Sequence, residues 1–166
     1  MPRPDLDTDG IAVTLPTGWD GEIYRRAPEP VAYDDNVPEG LRRAPTTGSI
    51  VHLANFTLPA RRGDYGSEAV VRMGDDDILV ILFEFAPESA TRAMFWNEGI
   101  PRPLHRDDWD PNQMQLPLPP RAGVQRFFNV DGRRAFCLFS VIGNYARRNT
   151  LTPRVNEVLG TIEISA

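Results

Sequence analysis

Two apolar runs constrain this chain more than any other feature. "DILVILFEF" (residues 77–85) and "AFCLFSVIG" (135–143) are hydrophobic on both alternate sets of positions. In the first, Leu79, Ile81, Phe83 and Phe85 point one way along an extended chain, and Ile78, Val80 and Leu82 point the other. A strand that is apolar on both sides needs cover on both sides, which an open sheet with one wet face does not provide. The runs therefore predict two central strands of a layered fold, with Val80, Leu82, Leu138 and Val141 almost fully buried.

Shorter patterns fill in the rest. Residues 11–15 (IAVTL) alternate as a half-buried strand does, and 22–26 (EIYRR) are expected to return as its hairpin partner across a turn containing Pro16, Gly18 and Gly21. "SIVHLANFTL" (49–58) is a further strand candidate, and Asp131-Gly132 makes a two-residue hairpin turn ahead of the second apolar run. Helices are few. "SEAVVRMG" (67–74) offers a serine cap and a closing glycine, and "PESATRAMFWNEG" (87–99) either puts Ala90, Ala93 and Met94 on one helical face or is extended in its second half. "TPRVNEVLG" (152–160) reads as Thr152 N-cap, Pro153 at the first helical position, Val155, Val158 and Leu159 on one stripe and Gly160 as stop, followed by a last strand, "TIEIS". Short strands and helices without a regular strand-helix repeat point to an α+β fold with a mainly antiparallel sheet covered on both faces.

Length and composition set the bounds. At 166 residues and 41% hydrophobic, the chain is long enough to close a core without disulfides or metal, and it is read as a flexible tail over 1–10 and a single globular domain over 11–166. A lone cysteine, Cys137, forms no internal bridge, and its place inside "FCLF" predicts a buried, unreactive thiol in a reducing, cytoplasmic setting. The opening "MPRPDLDTDG" lacks the pattern of a signal peptide, and no apolar run approaches the ~20 residues of a membrane span, so no membrane association is expected.

All 18 basic residues are arginine, several in doublets, yet 23 acidic residues outweigh them, so nucleic acid is not the expected partner. Site chemistry is sparse. The sequence holds no glycine-rich phosphate loop, no nucleophile elbow and no Cys/His cluster at metal spacing, so neither metal nor cofactor is expected. His52 falls in a predicted strand, where a lone histidine is expected to be packed or hydrogen-bonded. His105 stands in "LHRDDWDP" beside Asp107, Asp108 and Asp110, an arrangement that suits acid-base or hard-metal chemistry, or plain turn and cap chemistry. "GDDD" (74–77) reads as a solvated turn.

The two ends of the chain carry a resemblance. An N-terminal strand running into "LPTGW", and a C-terminal helix that begins near a proline and runs into a closing strand ("LTPRVNEVLGTIEI"), resemble the PsbP-like superfamily. That superfamily includes the extrinsic subunit of the oxygen-evolving photosystem, the Ran-binding nuclear import factor and bacterial secretion adaptors. The resemblance implies an α/β/α sandwich that binds other proteins rather than catalysing. It also bears on Trp19, directly after the turn: the ring is expected to fold over the sheet end and cover on the order of 200 Å² of apolar surface.

Ten of the 16 prolines fall in residues 27–48 and 99–123, two irregular segments that carry Tyr33, Leu41, Leu104 and Trp109. Long loops in compact domains usually have a use, and proline lowers the entropy cost of ordering a loop against a partner. The segments are thus expected either to recognise another protein, with Trp109, His105, Leu104, Tyr33 and Leu41 as contacts, or to wrap the core. The function expected is a non-enzymatic binding, adaptor or chaperone-like module with a protein partner and a possible homo-oligomeric state. The alternatives are a structural component of a larger assembly, such as a phage or secretion particle, and an enzyme using His105 with its aspartates.

Overall fold

The computed structural model describes residues 2–26, 36, 38 and 48–166. Its centre is a five-stranded antiparallel sheet in the order β3-β4-β5-β7-β6, from β3 (Asp20–Arg25), β4 (Ser49–Ala54), β5 (Ile78–Phe85), β6 (Ala122–Val130) and β7 (Arg134–Ile142). The two apolar runs are β5 and β7, which pair from Ile78↔Ile142 to Phe85↔Ala135 at the middle of the sheet. Val80, Leu82, Leu138 and Val141 are fully buried. The fold is α+β with antiparallel pairing throughout its two sheets.

The alternation of side chains sorts the core into two layers. Val51, Leu53, Ile78, Val80, Leu82, Leu138 and Ile142 face a layer made by helix α2 (Arg148–Leu159), Ile11, Val13 and Ile162. Ile50, Leu79, Ile81, Phe83, Phe139 and Val141 face the opposite layer, where the five-residue helix α1 (Ser67–Val71) supplies Ala69 and Val70 and irregular chain supplies Phe56, Leu58, Met114 and Leu118. Both faces of the sheet are thereby covered.

The N-terminal region departs from expectation in two ways. Residues 11–15 and 22–26 do not form a hairpin with each other. Instead β2 (Ile11–Val13) is the middle strand of a small second sheet, between β1 (Leu6–Thr8) and β8 (Glu163–Ile164), while β3 pairs with β4. The turn explains the switch: Gly18 takes φ 83 and the Trp19 N–H bonds the Pro16 carbonyl (3.1 Å), delivering the chain to the large sheet instead of back along β2. Part of the expected tail is also ordered, because Leu6–Thr8 form β1 and the Asp5 carboxylate accepts the Leu15 N–H at 2.7 Å. Trp19 is half-buried and packs on the α2-side core, as its place after the turn predicts.

The helices are shifted relative to the sequence reading. α2 begins a turn before Thr152, because a 3₁₀ turn at Tyr145–Arg147, capped by the Asn144 side chain on the Ala146 N–H (2.9 Å), leads into it. Thr152 is therefore inside the helix rather than capping it, Pro153 is interior, and Gly160 follows the last helical residue as expected. α1 starts from Gly66 with no side-chain cap, so Ser67 does not serve as one. Residues 87–99 form two 3₁₀ pieces, Pro87–Thr91 and Ala93–Phe95, that bury Ala90 and Phe95 and leave Met94 exposed. The β6–β7 turn has positive φ at Asp131 and Gly132 (52° and 64°), but the ladder resumes only at Val130↔Arg134, so Arg133 makes it a three-residue loop.

Candidate functional site

Of the two uses expected for residues 99–123, recognition or cover of the core, the first half of the segment serves the second. Trp109 is 3% exposed, sits in the α2-side core and donates its indole N–H to the Thr152 hydroxyl (2.9 Å). Leu104 is buried too, and its backbone is clasped by Asn156 of α2, which accepts the Leu104 N–H (2.7 Å) and donates to its carbonyl (2.9 Å). The charged neighbours of Trp109 lie at the surface, Arg106 and Asp107 exposed and Asp108 and Asp110 half-buried. Asp108 accepts the His105 N–H (2.7 Å) and meets Arg126 (3.3 Å), and paired backbone bonds between Asp110 and Gly123 (2.9 and 3.0 Å) fix the segment to the edge of β6. With their charges spent at the surface, nothing holds the indole out of the core.

His105 is exposed, and its Nδ1 accepts the Asp107 N–H (3.2 Å), so the ring completes a capping box on the 3₁₀ turn Arg106–Asp108. The ring and Asp108 thus serve as turn and cap chemistry, one of the uses their spacing suits. Tyr33 and Leu41 lie outside the described residues. Among the described residues, no group of three or more His, Cys, Asp or Glu is placed to hold a metal ion, and no helix is long and apolar enough to cross a membrane. Cys137 is 1% exposed, and burial pushes its thiol up to about 11, as its apolar run implies. The Gly74–Asp77 turn is closed by the Asp77 carboxylate on the Gly74 N–H (2.7 Å), and Arg147 pairs with Asp75 and Asp76 beside it.

The second half of the same segment, with α1, lines an apolar pocket. Val70 and Val71 of α1 form one wall, Met114, Leu116 and Leu118 the other, and Tyr65 and Phe139 the floor. Tyr65 is held by a parallel stack on Phe83, with centroids 4.9 Å apart. Arg121 fixes the α1 wall by donating to the carbonyls of Val71 (3.1 Å) and Met73 (2.7 Å), satisfying acceptors that the end of a short helix leaves open. The pocket holds about 60 Å³. One water needs ~10–15 Å³, so the space suits one apolar side chain. Its rim is apolar and wet: Val71 is 63% and Leu116 70% exposed.

Two polar clefts differ in kind. One, of about 490 Å³, is lined by Asp9, Arg25, Glu84 and Arg134, but these charges already face one another, as Arg134–Glu84 (2.8 Å) and Arg25–Asp9 (3.1 Å). The other, of about 340 Å³, lies over Glu22, Tyr24, Arg62 and Asp64, beside the buried His52. The sequence offered little to mark the apolar pocket. Met114, Leu116 and Leu118 alternate with Gln115 and Pro117, and two-residue periodicity in a proline-containing stretch is read as loop. No protein-family model matches the chain, and neither a curated protein nor a solved structure matches it.

Proposed function

We propose that the protein is a binding module of the adaptor or chaperone type that seats one apolar side chain of a protein partner between α1 and residues 114–118. The observation that carries this reading is the combination of a pocket of one-side-chain size with exposed Val71 and Leu116 on its rim. Interface energy concentrates in such arrangements, where a buried anchor is ringed by contacts that exclude water. A reducing cytoplasmic setting and a protein partner belong to the same reading.

Peptides selected from a random display library on the immobilised protein provide the test. They are expected to share an aromatic or large aliphatic anchor, and Leu116→Asp and Val71→Asp should each weaken their binding by roughly 30-fold, the ratio that corresponds to an anchor of ~2 kcal/mol. Both positions are exposed, so the fold should be unaffected. Binders that ignore both substitutions overturn the reading.

A second reading, a component of a larger assembly, is favoured by a different observation. Trp96 is 79% and Met94 60% exposed, on chain that runs beside the β6 edge through a parallel bridge between Glu98 and Asn129. Sedimentation decides between them: concentration-dependent oligomers that Trp96→Ser abolishes support the assembly, and a monomer at high concentration rejects it.

A further inference from the structure

We propose that His52 and Arg62 form an acid-sensitive latch holding residues 59–66, and through them the α1 wall of the apolar pocket, against the sheet. His52 lies in β4 between Glu22 of β3 and Ile81 of β5, and it is fully buried. The Arg62 Nε–H donates to its Nδ1 (2.6 Å). A guanidinium is always protonated and can only donate, so Nδ1 must carry a lone pair. The proton is then on Nε2, which donates to the Asp64 carbonyl at 2.8 Å. Both ring nitrogens are committed, and only neutral histidine fits.

The same arginine fastens the segment. It is 9% exposed, donates from Nη1 to the Pro59 carbonyl (3.0 Å), and pairs through Nη2 with Glu22. Around it, Tyr24 of β3 meets the His52 ring edge-on (5.4 Å, 89°) and donates its hydroxyl to Asp64 (2.8 Å), which Arg26 also pairs at 3.2 Å. Arg61 of the segment and Glu68 of α1 line the same cleft, and Ile81 brings no titratable group from β5. The segment ends at Gly66, φ 66, where a Cβ would come within 2.9 Å of Leu79 and Ile81 side chains. α1 begins at the next residue, so a shift in 59–66 moves Ser67, Val70 and Val71 with it.

Protonating His52 sets an N–H and a positive charge against the Arg62 Nε–H in a buried site. Glu22 already serves Arg62, and the Asp64 carboxylate already serves Tyr24 and Arg26. The guanidinium must therefore withdraw, releasing Pro59 and Glu22 with it. Burial is the largest influence on the imidazole and lowers its pKa below the ordinary value. The sign follows. Below ~6.5 the unfolded or released chain takes a proton that the latched form refuses, so the ratio of latched to released chain falls by up to tenfold per pH unit from there down to the latched pKa. The effect on partner binding rests on the pocket reading above; the latch itself does not.

Nuclear magnetic resonance of the isotope-labelled full chain from pH 8 to pH 5 tests it. At pH 8 the His52 proton is expected on Nε2 alone. On acidification the amides of residues 59–71 should move together with His52 protonation, before those of β5 and β7. His52→Asn, whose Oδ1 accepts from Arg62 without titrating, should remove the step. A proton on Nδ1 at pH 8, a step shared equally with β5 and β7, or a step that persists in His52→Asn overturns the latch. Arg62→Met is the second variant: His52 should then titrate nearer its ordinary value, and an unchanged titration overturns the proposal. Peptides bound in the pocket should weaken across the same step. An affinity that ignores the step overturns only the coupling, since the Leu116→Asp result tests the pocket separately.

Discussion

Trp109→Ala is expected to cost ~3–5 kcal/mol of stability, the range for truncating a buried large aromatic, and to lower the thermal midpoint by roughly 6–20 °C at the ~2–4 °C per kcal/mol of a domain of this size. The ring is 3% exposed among α2-side residues, so its removal leaves a cavity between residues 104–110 and α2, which are also tied together by Asn156. Rigid neighbours on both sides limit collapse, and the loss should fall in the upper part of that range. Thr152→Val separates the polar part: the indole N–H then lacks its acceptor and the variant should lose ~1–3 kcal/mol while keeping the ring packed. Calorimetry of both variants decides the matter. A Trp109→Ala protein that melts with the wild type returns the ring to the surface and the segment to recognition.

What made Trp109 hard to place from sequence also explains the other departures. Its neighbours are Asp107, Asp108, Asp110 and Arg106, and local composition suggests water; the residue that receives its N–H, Thr152, is 43 positions away. The central strands were legible because β5 and β7 carry their burial in their own pattern, apolar on both sides. β2 carries the pattern of a strand but not the identity of its partners, since Ile11 pairs with Ile164 at the other end of the chain. The start of α2 was hidden for a similar reason. Thr152-Pro153 is a good local N-terminus, but Asn144 and the turn after it initiate the helix earlier, burying Leu151 and aiming Thr152 at the indole. The apolar pocket depends on two short stretches, Val70–Val71 and Met114–Leu118, that no pattern connects. His52 is the packed, hydrogen-bonded strand residue that its place in a strand pattern predicts; nothing in that pattern points to its partner Arg62, ten residues on.

Glu84→Ala is expected to cost about 3 kcal/mol, because it strands a charge that the fold holds mostly out of water. Arg134 meets Glu84 with two parallel bonds, Nε to Oε1 (2.8 Å) and Nη2 to Oε2 (3.0 Å), and the two side chains are 15% and 14% exposed. The pair ties the end of β5 to the start of β7, and it recruits other elements. Glu84 also accepts the Ser49 N–H of β4 (3.0 Å), and Arg134 donates to the Ser165 carbonyl (3.0 Å) while its guanidinium lies 5.2 Å from the centre of the Phe136 ring. Removing the carboxylate leaves the guanidinium with one carbonyl and one ring, and deprives Ser49 of its acceptor. The neighbouring cleft admits water, which holds the loss near the lower end of the ~3–5 kcal/mol seen when a buried pair is broken. Glu84→Gln keeps an acceptor for Ser49 and should lose less. Replacing both partners by apolar residues of similar length, Glu84→Leu with Arg134→Met, should recover much of the stability, because no charge is then left unpaired. Chemical denaturation of Glu84→Leu, Arg134→Met and the double variant measures this as a cycle, with an expected coupling of about 1–3 kcal/mol. Additive losses, with the double variant as unstable as the sum of its parts, would reduce the pair to two independent surface contacts.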